Sequence, residues 1–290
     1  MEILKCKGLE KLILENLKER IKKLSSVPSL VMISVGEDPA SKTYVAKKEK
    51  VASQLGINAV QVNLPETVSE SDLLLEVRKY TATTPTIVQL PLPSHINTDA
   101  VIQAINPATD VDGFSPSNVG SMLLGHPCFL PATPKGILKI LEYFNIDVNG
   151  KCVAVVGRSN IVGRPVANLL SDRSHNATVT LCHSRTPNLS QILKQMDVIV
   201  VATGRPGTIS VSDVKHDAVI IDVGVNRVPD ESERGWHLEG DFNPAGVEST
   251  DIRYTPVPGG VGLLTVAMLM ENTVEFYEKN PGIFSENSIQ

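Results

Sequence analysis

The 290-residue sequence contains no Cys-x-x-Cys pair; its four cysteines, Cys6, Cys128, Cys152 and Cys182, stand far apart. That spacing excludes a compact disulfide scaffold and a structural zinc ribbon. The six histidines have no H-x-x-x-H or similar ligand spacing, so no metal is expected. Basic residues are not in excess either. Lys and Arg total 27 against 32 Asp and Glu, a net charge of -5, which gives no electrostatic footprint for nucleic acid or an anionic membrane. Any anionic ligand must therefore be held by a local site. No apolar run approaches the roughly 20 residues of a membrane span. Residues 1–24 carry Glu and Lys throughout, leaving no uncharged core of signal-peptide length. The expectation is a cytoplasmic protein with reduced thiols.

What is present is ordinary for a folded chain: 42% hydrophobic and 20% charged residues. At roughly 100–200 residues per domain, the length suggests two domains or one large α/β unit. Leu9, Ile13, Leu17, Ile21 and Leu24 recur at helical spacing. A β-branched run at 30–36, a helix at 40–55 and a strand at 59–64 follow. Ser69 and Asp72 cap a helix to Tyr80, and 86–90 is a third strand, stopped by Pro91 and Pro93. This is the βαβ rhythm of a mostly parallel sheet. The stretch 106–134, rich in Pro, Gly, Asp and Ser, reads as a crossing between domains. Thr133-Pro134 then supplies a cap and an N1 proline for a helix to Asn145. A second alternating series begins at Lys151, and a last helix runs over 265–279.

Val153 to Val156 is a continuous apolar run, as expected of a strand covered on both faces. It breaks at Gly157-Arg158-Ser159-Asn160-Ile161-Val162-Gly163-Arg164-Pro165 and helix-compatible residues follow. Strand, glycine turn and helix N-terminus together present backbone N–H groups to a phosphate. The spacing is not G-x-G-x-x-G, and a plain strand–helix connection is the competing reading. The next strand ends Leu181-Cys182-His183-Ser184-Arg185-Thr186, without the carboxylate that would bind an unmodified adenosine ribose. Ser184, Arg185 and Arg158 could instead donate to a 2′-phosphate, favouring NADP over NAD; Arg185 reads equally well as a solvated loop residue. Thr203-Gly204 and Val225 lie at two further strand ends suited to the nicotinamide side, and Asp222 reads as structural.

On the 40–55 helix, a period of about 100° per residue puts Ser41, Tyr44, Val45, Lys48, Val51, Ala52 and Leu55 on one face. Lys47, Glu49, Lys50, Ser53 and Gln54 fall on the other. Lys48 thus occupies the middle of an apolar stripe, where burial pushes an amine pKa down from about 10.4; the competing reading is a lysine snorkelling from the stripe's edge. Gln89 interrupts an otherwise buried strand. A neutral amide there can bond a lysine without raising its pKa as a carboxylate would. Asp110 and Asp112 alternate along an extended segment and face opposite ways; Asp112 could accept from a heterocyclic amine or simply serve an Asp-Gly turn.

Six segments, in order and over nearly the whole chain, resemble the bifunctional methylenetetrahydrofolate dehydrogenase/methenyltetrahydrofolate cyclohydrolase family. They are Tyr44-Val45-Ala46-Lys47-Lys48, Val88-Gln89-Leu90-Pro91-Leu92-Pro93, Asp110-Val111-Asp112-Gly113-Phe114, Gly157-Arg158-Ser159 with Val162-Gly163-Arg164-Pro165, Asp222-Val223-Gly224-Val225-Asn226-Arg227, and Thr255-Pro256-Val257-Pro258-Gly259-Gly260-Val261-Gly262. The resemblance implies an α/β fold of two domains: an N-terminal catalytic domain, 1–120 plus a C-terminal helix 265–290, and a Rossmann-like NADP-binding domain, 121–264, with a cleft between them. It implies NADP-dependent oxidation of 5,10-methylenetetrahydrofolate and hydrolysis of the methenyl product to 10-formyltetrahydrofolate, in one-carbon metabolism. It also implies a homodimer. By that likeness Lys48 is the key catalytic residue, with Tyr44, Gln89 and Asp112, and the folate meets Tyr44, Gln89, Pro91, Asp112, Gly259, Gly262 and Val266. The cofactor set is Gly157, Arg158, Ser159, Ile161, Gly163, Ser184, Thr203, Gly204 and Val225.

One departure stands out. The family has Pro-Met after the last loop, where this chain has Leu263-Leu264. Losing the proline frees φ and adds an N–H, which puts loop rigidity and folate affinity in question. A monofunctional dehydrogenase is the nearest alternative. A shikimate-type or amino-acid dehydrogenase would leave Lys48 and Gln89 unexplained; a third reading is a nucleotide-sensing protein that has kept the fold and lost turnover.

Overall fold

The computed structural model describes residues 1–81, 83–232 and 235–281, without the side chains of 39 and 40. In chain order the first elements are β1 (Glu2–Ile3), α1 (Lys7–Ile21), β2 (Ser29–Val35), α2 (Pro39–Leu55), β3 (Asn58–Leu64), α3 (Glu70–Thr81), β4 (Thr86–Val88), α4 (Thr98–Ala104) and α5 (Pro116–Leu123). Then come α6 (Ala132–Tyr143), β5 (Cys152–Val156), α7 (Gly163–Ser171), β6 (Thr178–Cys182), α8 (Leu189–Leu193), β7 (Val198–Val201), β8 (Ile209–Ser210) and β9 (Val219–Asp222). The series closes with β10 (Asn226–Pro229), β11 (Trp236–Glu239), β12 (Phe242–Asn243), β13 (Arg253–Tyr254) and α9 (Val261–Lys279). Two units divide the chain. One comprises Met1–Lys11 and Thr133–Thr265; the other comprises Leu12–Ala132 and the described chain from Val266 on.

The unit that begins at Leu12 is built on a parallel sheet in the order β3-β2-β4. Central β2 is covered on both faces, with Leu30, Val31, Met32 and Ile33 at most 1% exposed, which is why its sequence is a continuous apolar run. Leu73 and Val77 of α3 pack on Val31, Ile33 and Val35. Ser69 accepts from the Asp72 amide at 3.1 Å, capping α3. The 106–134 stretch is not a plain crossing: it contains α5, which starts at Pro116 behind the N-cap Ser115, a cap-and-proline pair of the kind read at Thr133-Pro134. That second helix begins two residues earlier than expected, at Ala132 and not Pro134, and ends at Tyr143. Thr133 consequently sits inside its first turn and hydrogen-bonds Thr265 Oγ1 at 3.0 Å.

Helix α9 starts at Val261, a turn before the expected 265, because the backbone closes on itself as soon as the glycine loop ends: the Leu263 N–H donates to Gly260 O at 3.1 Å. Leu263-Leu264 therefore lies in a helix rather than in a loop. Farther along, Asn272 Nδ2 donates to Val111 O at 2.8 Å and to Leu130 O at 2.9 Å. Residues 282–290 of the expected C-terminal segment lie outside the described residues.

The other unit carries a six-stranded parallel sheet in the order β1-β13-β9-β7-β5-β6. β5 and β7 are buried apart from half-buried Cys152 at the start of β5. After β5 the chain goes outward to β6 and then returns to the other side of β5 as β7. Strand order reverses there, and in open α/β sheets the carboxyl ends at such a reversal are where ligands bind.

Candidate active site

Lys48 lies two turns from the end of α2, which is fixed at its start by the Asp38 carboxylate accepting from the Ser41 amide at 2.7 Å. Val45, Val51, Ala52 and Leu55 of the expected stripe are buried. The stripe fails toward the N-terminus, where Tyr44 is 44% exposed. Lys47 and Glu49, expected to face water, are half-buried instead. Lys48 is not snorkelling. Its amine is withdrawn from water and donates to Gln89 Oε1 at 3.0 Å, and desolvation holds its pKa below the usual lysine range, against an opposing pull from the Asp112 carboxylate.

Gln89 emerges from the end of β4, whose neighbour β2 receives the Gln89 N–H at Ile33 O, 2.8 Å away. Its amide is bonded at both ends: Oε1 takes the lysine, and Nε2 donates to Leu90 O at 2.7 Å. Asp112 is pushed up to about 6 by burial, with Lys48 lowering it and Asp110 raising it. The Asp-Gly step that carries it requires glycine: Gly113 has φ +70°, and a Cβ there would meet the Phe129 carbonyl and the Leu130 backbone. Asp110 does different work. It is fully buried and its Oδ2 accepts from Ser115 N at 2.7 Å and Asn118 Nδ2 at 2.9 Å, ordering the start of α5. Lys48, Gln89 and Asp112 thus come together in one unit, with Tyr44 one turn from Lys48 on α2. Pro91 is exposed and Val266 is buried.

In the other unit, the ends of β5 and β7 meet. Ala202 N donates to Val156 O at 2.8 Å. Gly157 has φ +123°, and a Cβ there would run into the Ala202 carbonyl; one on Gly163 would run into Gly157 O. Both positions are already filled by backbone atoms, so only glycine lets β5 and β7 meet at the turn and α7 close against it. The helix start itself is less open than the sequence suggested. The Ser159 hydroxyl accepts from Val162 N at 3.2 Å and Gly163 N at 3.3 Å, and Ser159 O takes Arg164 N at 3.0 Å. The exposed segment just before them, Arg158 to Ile161, is what faces outward. Ile161 and Val225 are 38% and 41% exposed, large apolar side chains left uncovered at the sheet's ligand end. Ser184 and Arg185 are exposed beyond β6, and Gly259 has φ +106°.

Sequence reasoning missed Asp241. This fully buried carboxylate accepts from Thr203 N at 2.5 Å, Thr203 Oγ1 at 2.9 Å, Gly204 N at 2.9 Å, Arg205 N at 3.0 Å and Asn226 Nδ2 at 2.9 Å. Asp222 stands behind it, accepting from Asp241 N at 3.0 Å, Gly224 N at 2.9 Å and Phe242 N at 2.9 Å, with its own carboxyl pushed up to about 6 by burial. A Cβ on Gly224 or Gly240 would strike these two carboxylates. No local spacing announces this arrangement, since Asp241 meets Thr203 across 38 positions.

The family model described as "Tetrahydrofolate dehydrogenase/cyclohydrolase, catalytic domain" matches residues 4–112, and that described as "Tetrahydrofolate dehydrogenase/cyclohydrolase, NAD(P)-binding domain" matches residues 131–281. The bifunctional protein FolD of Lactococcus lactis subsp. cremoris (strain MG1363) is 47% identical over 259 residues, 88% of each chain. Among solved structures, the bifunctional FolD methylenetetrahydrofolate dehydrogenase/cyclohydrolase of Campylobacter jejuni is similar with a TM-score of 0.90 and 40% identity, over 96% of this chain and 99% of that one. The N5,N10-methylenetetrahydrofolate dehydrogenase-cyclohydrolase of Trypanosoma brucei, complexed with NADP cofactor and inhibitor, has a TM-score of 0.89 and 34% identity, over 96% and 97%.

Proposed function

Because the chain belongs to the tetrahydrofolate dehydrogenase/cyclohydrolase family, we propose that both of its reactions are served by Lys48, tuned by Gln89 and Asp112. The protein is a bifunctional, NADP-dependent 5,10-methylenetetrahydrofolate dehydrogenase and 5,10-methenyltetrahydrofolate cyclohydrolase of one-carbon metabolism. The observation that carries the assignment within this chain is the desolvated Lys48 amine donating to a neutral amide.

In hydrolysis, water adds to the methenyl carbon and gives a proton to the Lys48 lone pair, since the amine's own hydrogen is engaged by Gln89. The C–N5 bond then breaks as the formyl C=O forms; N5 takes a proton, and the carbinol proton is released. A positioned base of this kind is worth about 10²–10⁴-fold. In oxidation, the carbon gains positive charge shared between two nitrogens, which an uncharged amine tolerates and an ammonium would oppose. Asp112 accepts from the pterin's N–H groups, and the exposed Tyr44 ring packs on the substrate from the same face of α2. The folate set that the family likeness implies also includes Pro91, Gly259, Gly262 and Val266.

NADP is assigned to the turn after β5, where Gly157 and Gly163 let the backbone close tightly and Arg158 to Ile161 stand exposed. Gly157, Arg158, Ser159, Ile161, Gly163, Ser184, Thr203, Gly204 and Val225 would hold it, with Arg158 and Ser184 on the 2′-phosphate and Ile161 and Val225 supplying apolar cover. When bound, the cofactor supplies the hydride acceptor. Two further parts of the reading are a homodimer and a cytoplasmic location; among the described residues no helix is long and apolar enough to cross a membrane. Light scattering that returned a monomer mass would remove the dimer.

The decisive experiment is Lys48→Gln. Hydrolysis of the methenyl compound, followed without NADP, falls by about 10² or more, while some NADP-dependent hydride transfer survives. Wild-type hydrolysis in this variant would show that another group is the base.

A further inference from the structure

The turn after β7 is held entirely from its inner side. Thr203, Gly204 and Arg205 direct three successive backbone N–H groups at Asp241, and the Thr203 hydroxyl points the same way. The second Thr203 oxygen contact is Thr208 Oγ1 at 2.7 Å, also within the unit. Both polar groups of Thr203 that could donate are therefore committed. The same carboxylate takes Asn226 Nδ2 from the start of β10, just beyond the end of β9. One buried group thus joins the turn after β7 to the start of β10, both at the ligand end of the sheet, and its backbone N–H is fixed in turn by Asp222.

We propose that Asp241 is a positioning residue for the dinucleotide: it turns the donors of 203–205 inward, so that this turn offers a bound cofactor the carbonyl oxygens of Thr203 and Gly204, that of Arg205 being taken by Thr208 Oγ1 at 2.8 Å. The inference rests on the assignment of Thr203, Gly204 and Val225 to the cofactor. Asp241 touches neither cofactor nor substrate. Its effect is indirect, through the orientation of these two segments, and chemically it suits a donor on the ligand, such as a carboxamide NH₂. A carboxylate is required because five donors converge on it. An amide in its place presents N–H groups to N–H groups, and the turn must rotate to relieve them.

The test compares full-length wild type, Asp241→Asn and Asp241→Glu by three measurements: calorimetric titration with NADP, hydrolysis of methenyltetrahydrofolate without NADP, and melting temperature. Bonds to a charged group each contribute enough that Asp241→Asn weakens NADP binding about tenfold or more. Hydrolysis is retained, and Asp241→Glu recovers part of the affinity. Equal NADP affinity in wild type and Asp241→Asn overturns the proposal. So does a parallel loss of binding and hydrolysis with a lowered melting temperature, which marks a purely structural residue. If Asp241→Asn does not fold, Asn226→Ala, which removes the one side-chain donor to Asp241 that lies outside the cofactor set, carries the test: a severalfold weaker NADP affinity supports the proposal and an unchanged one overturns it. Failure of the wild type itself to bind NADP would instead overturn the cofactor assignment.

Discussion

The Lys48 amine meets Gln89 Oε1 at 3.0 Å, and the other end of that amide is tied to Leu90 O at 2.7 Å. The amine thus faces a fixed neutral acceptor. Burial lowers its pKa, and only Asp112 pulls the other way. A charge at position 89 would reverse that balance.

Gln89→Glu makes the reversal. A carboxylate at hydrogen-bond distance favours the ammonium and raises an amine pKa by about 1–3 units. The base then stays protonated to higher pH. The rising limb of the pH–rate profile for hydrolysis moves upward, and the rate at neutral pH drops about tenfold to a thousandfold. A profile superimposable on wild type contradicts the role given to the amide.

Asp112→Asn tests the opposing charge. Asp112 titrates at about 6 and, once ionised, holds the Lys48 pKa up. Without it, burial acts alone and the lysine pKa falls further. The hydrolytic profile consequently extends to lower pH, and any feature near pH 6 disappears, while kcat/KM falls about tenfold through lost pterin contacts. Profiles of log kcat/KM against pH for the two proteins decide the sign; a shift to higher pH contradicts it.

Arg158→Ala addresses cofactor choice. Arg158 is exposed immediately after Gly157, in the turn that follows β5. Removing its guanidinium weakens NADP by about tenfold, as expected for a charge-assisted bond to phosphate, and leaves NAD nearly unchanged. Equal losses with both cofactors, measured by titration, exclude the 2′-phosphate contact.

Leu263→Pro restores the residue typical of the family. In this chain position 263 is in the first turn of α9, where proline is tolerated. The substitution gives up the bond from Leu263 N to Gly260 O but stiffens the unfolded chain. The two effects are each about 1 kcal/mol or less and of opposite sign, so the melting temperature changes by a few degrees at most. A large destabilisation would show that the Leu263-Leu264 pair is packed in a way that depends on it.

The alternation of the main strands and helices, the buried runs of β2 and β5, the glycine turn after β5 and the identity of the family were legible in the sequence, because each depends on short-range pattern: apolar periodicity, caps and turn residues; the short strands β1, β8 and β10–β13 were not. Helix α5 was legible in principle, through Ser115-Pro116, but lay hidden in a segment whose composition resembles a linker. The wheel placed Lys48 on the buried face without showing that Tyr44, on that same face, would stand exposed. What a side chain touches across tens of residues belongs to the tertiary structure alone. Gln89 reaches Lys48 only because β4 pairs with β2, and Asp241 finds its five donors only because the turn after β7 and the start of β10 converge. Local preference fixes which elements form; electrostatic and hydrogen-bond partners are chosen by packing, which the chain acquires only once the sheets have assembled.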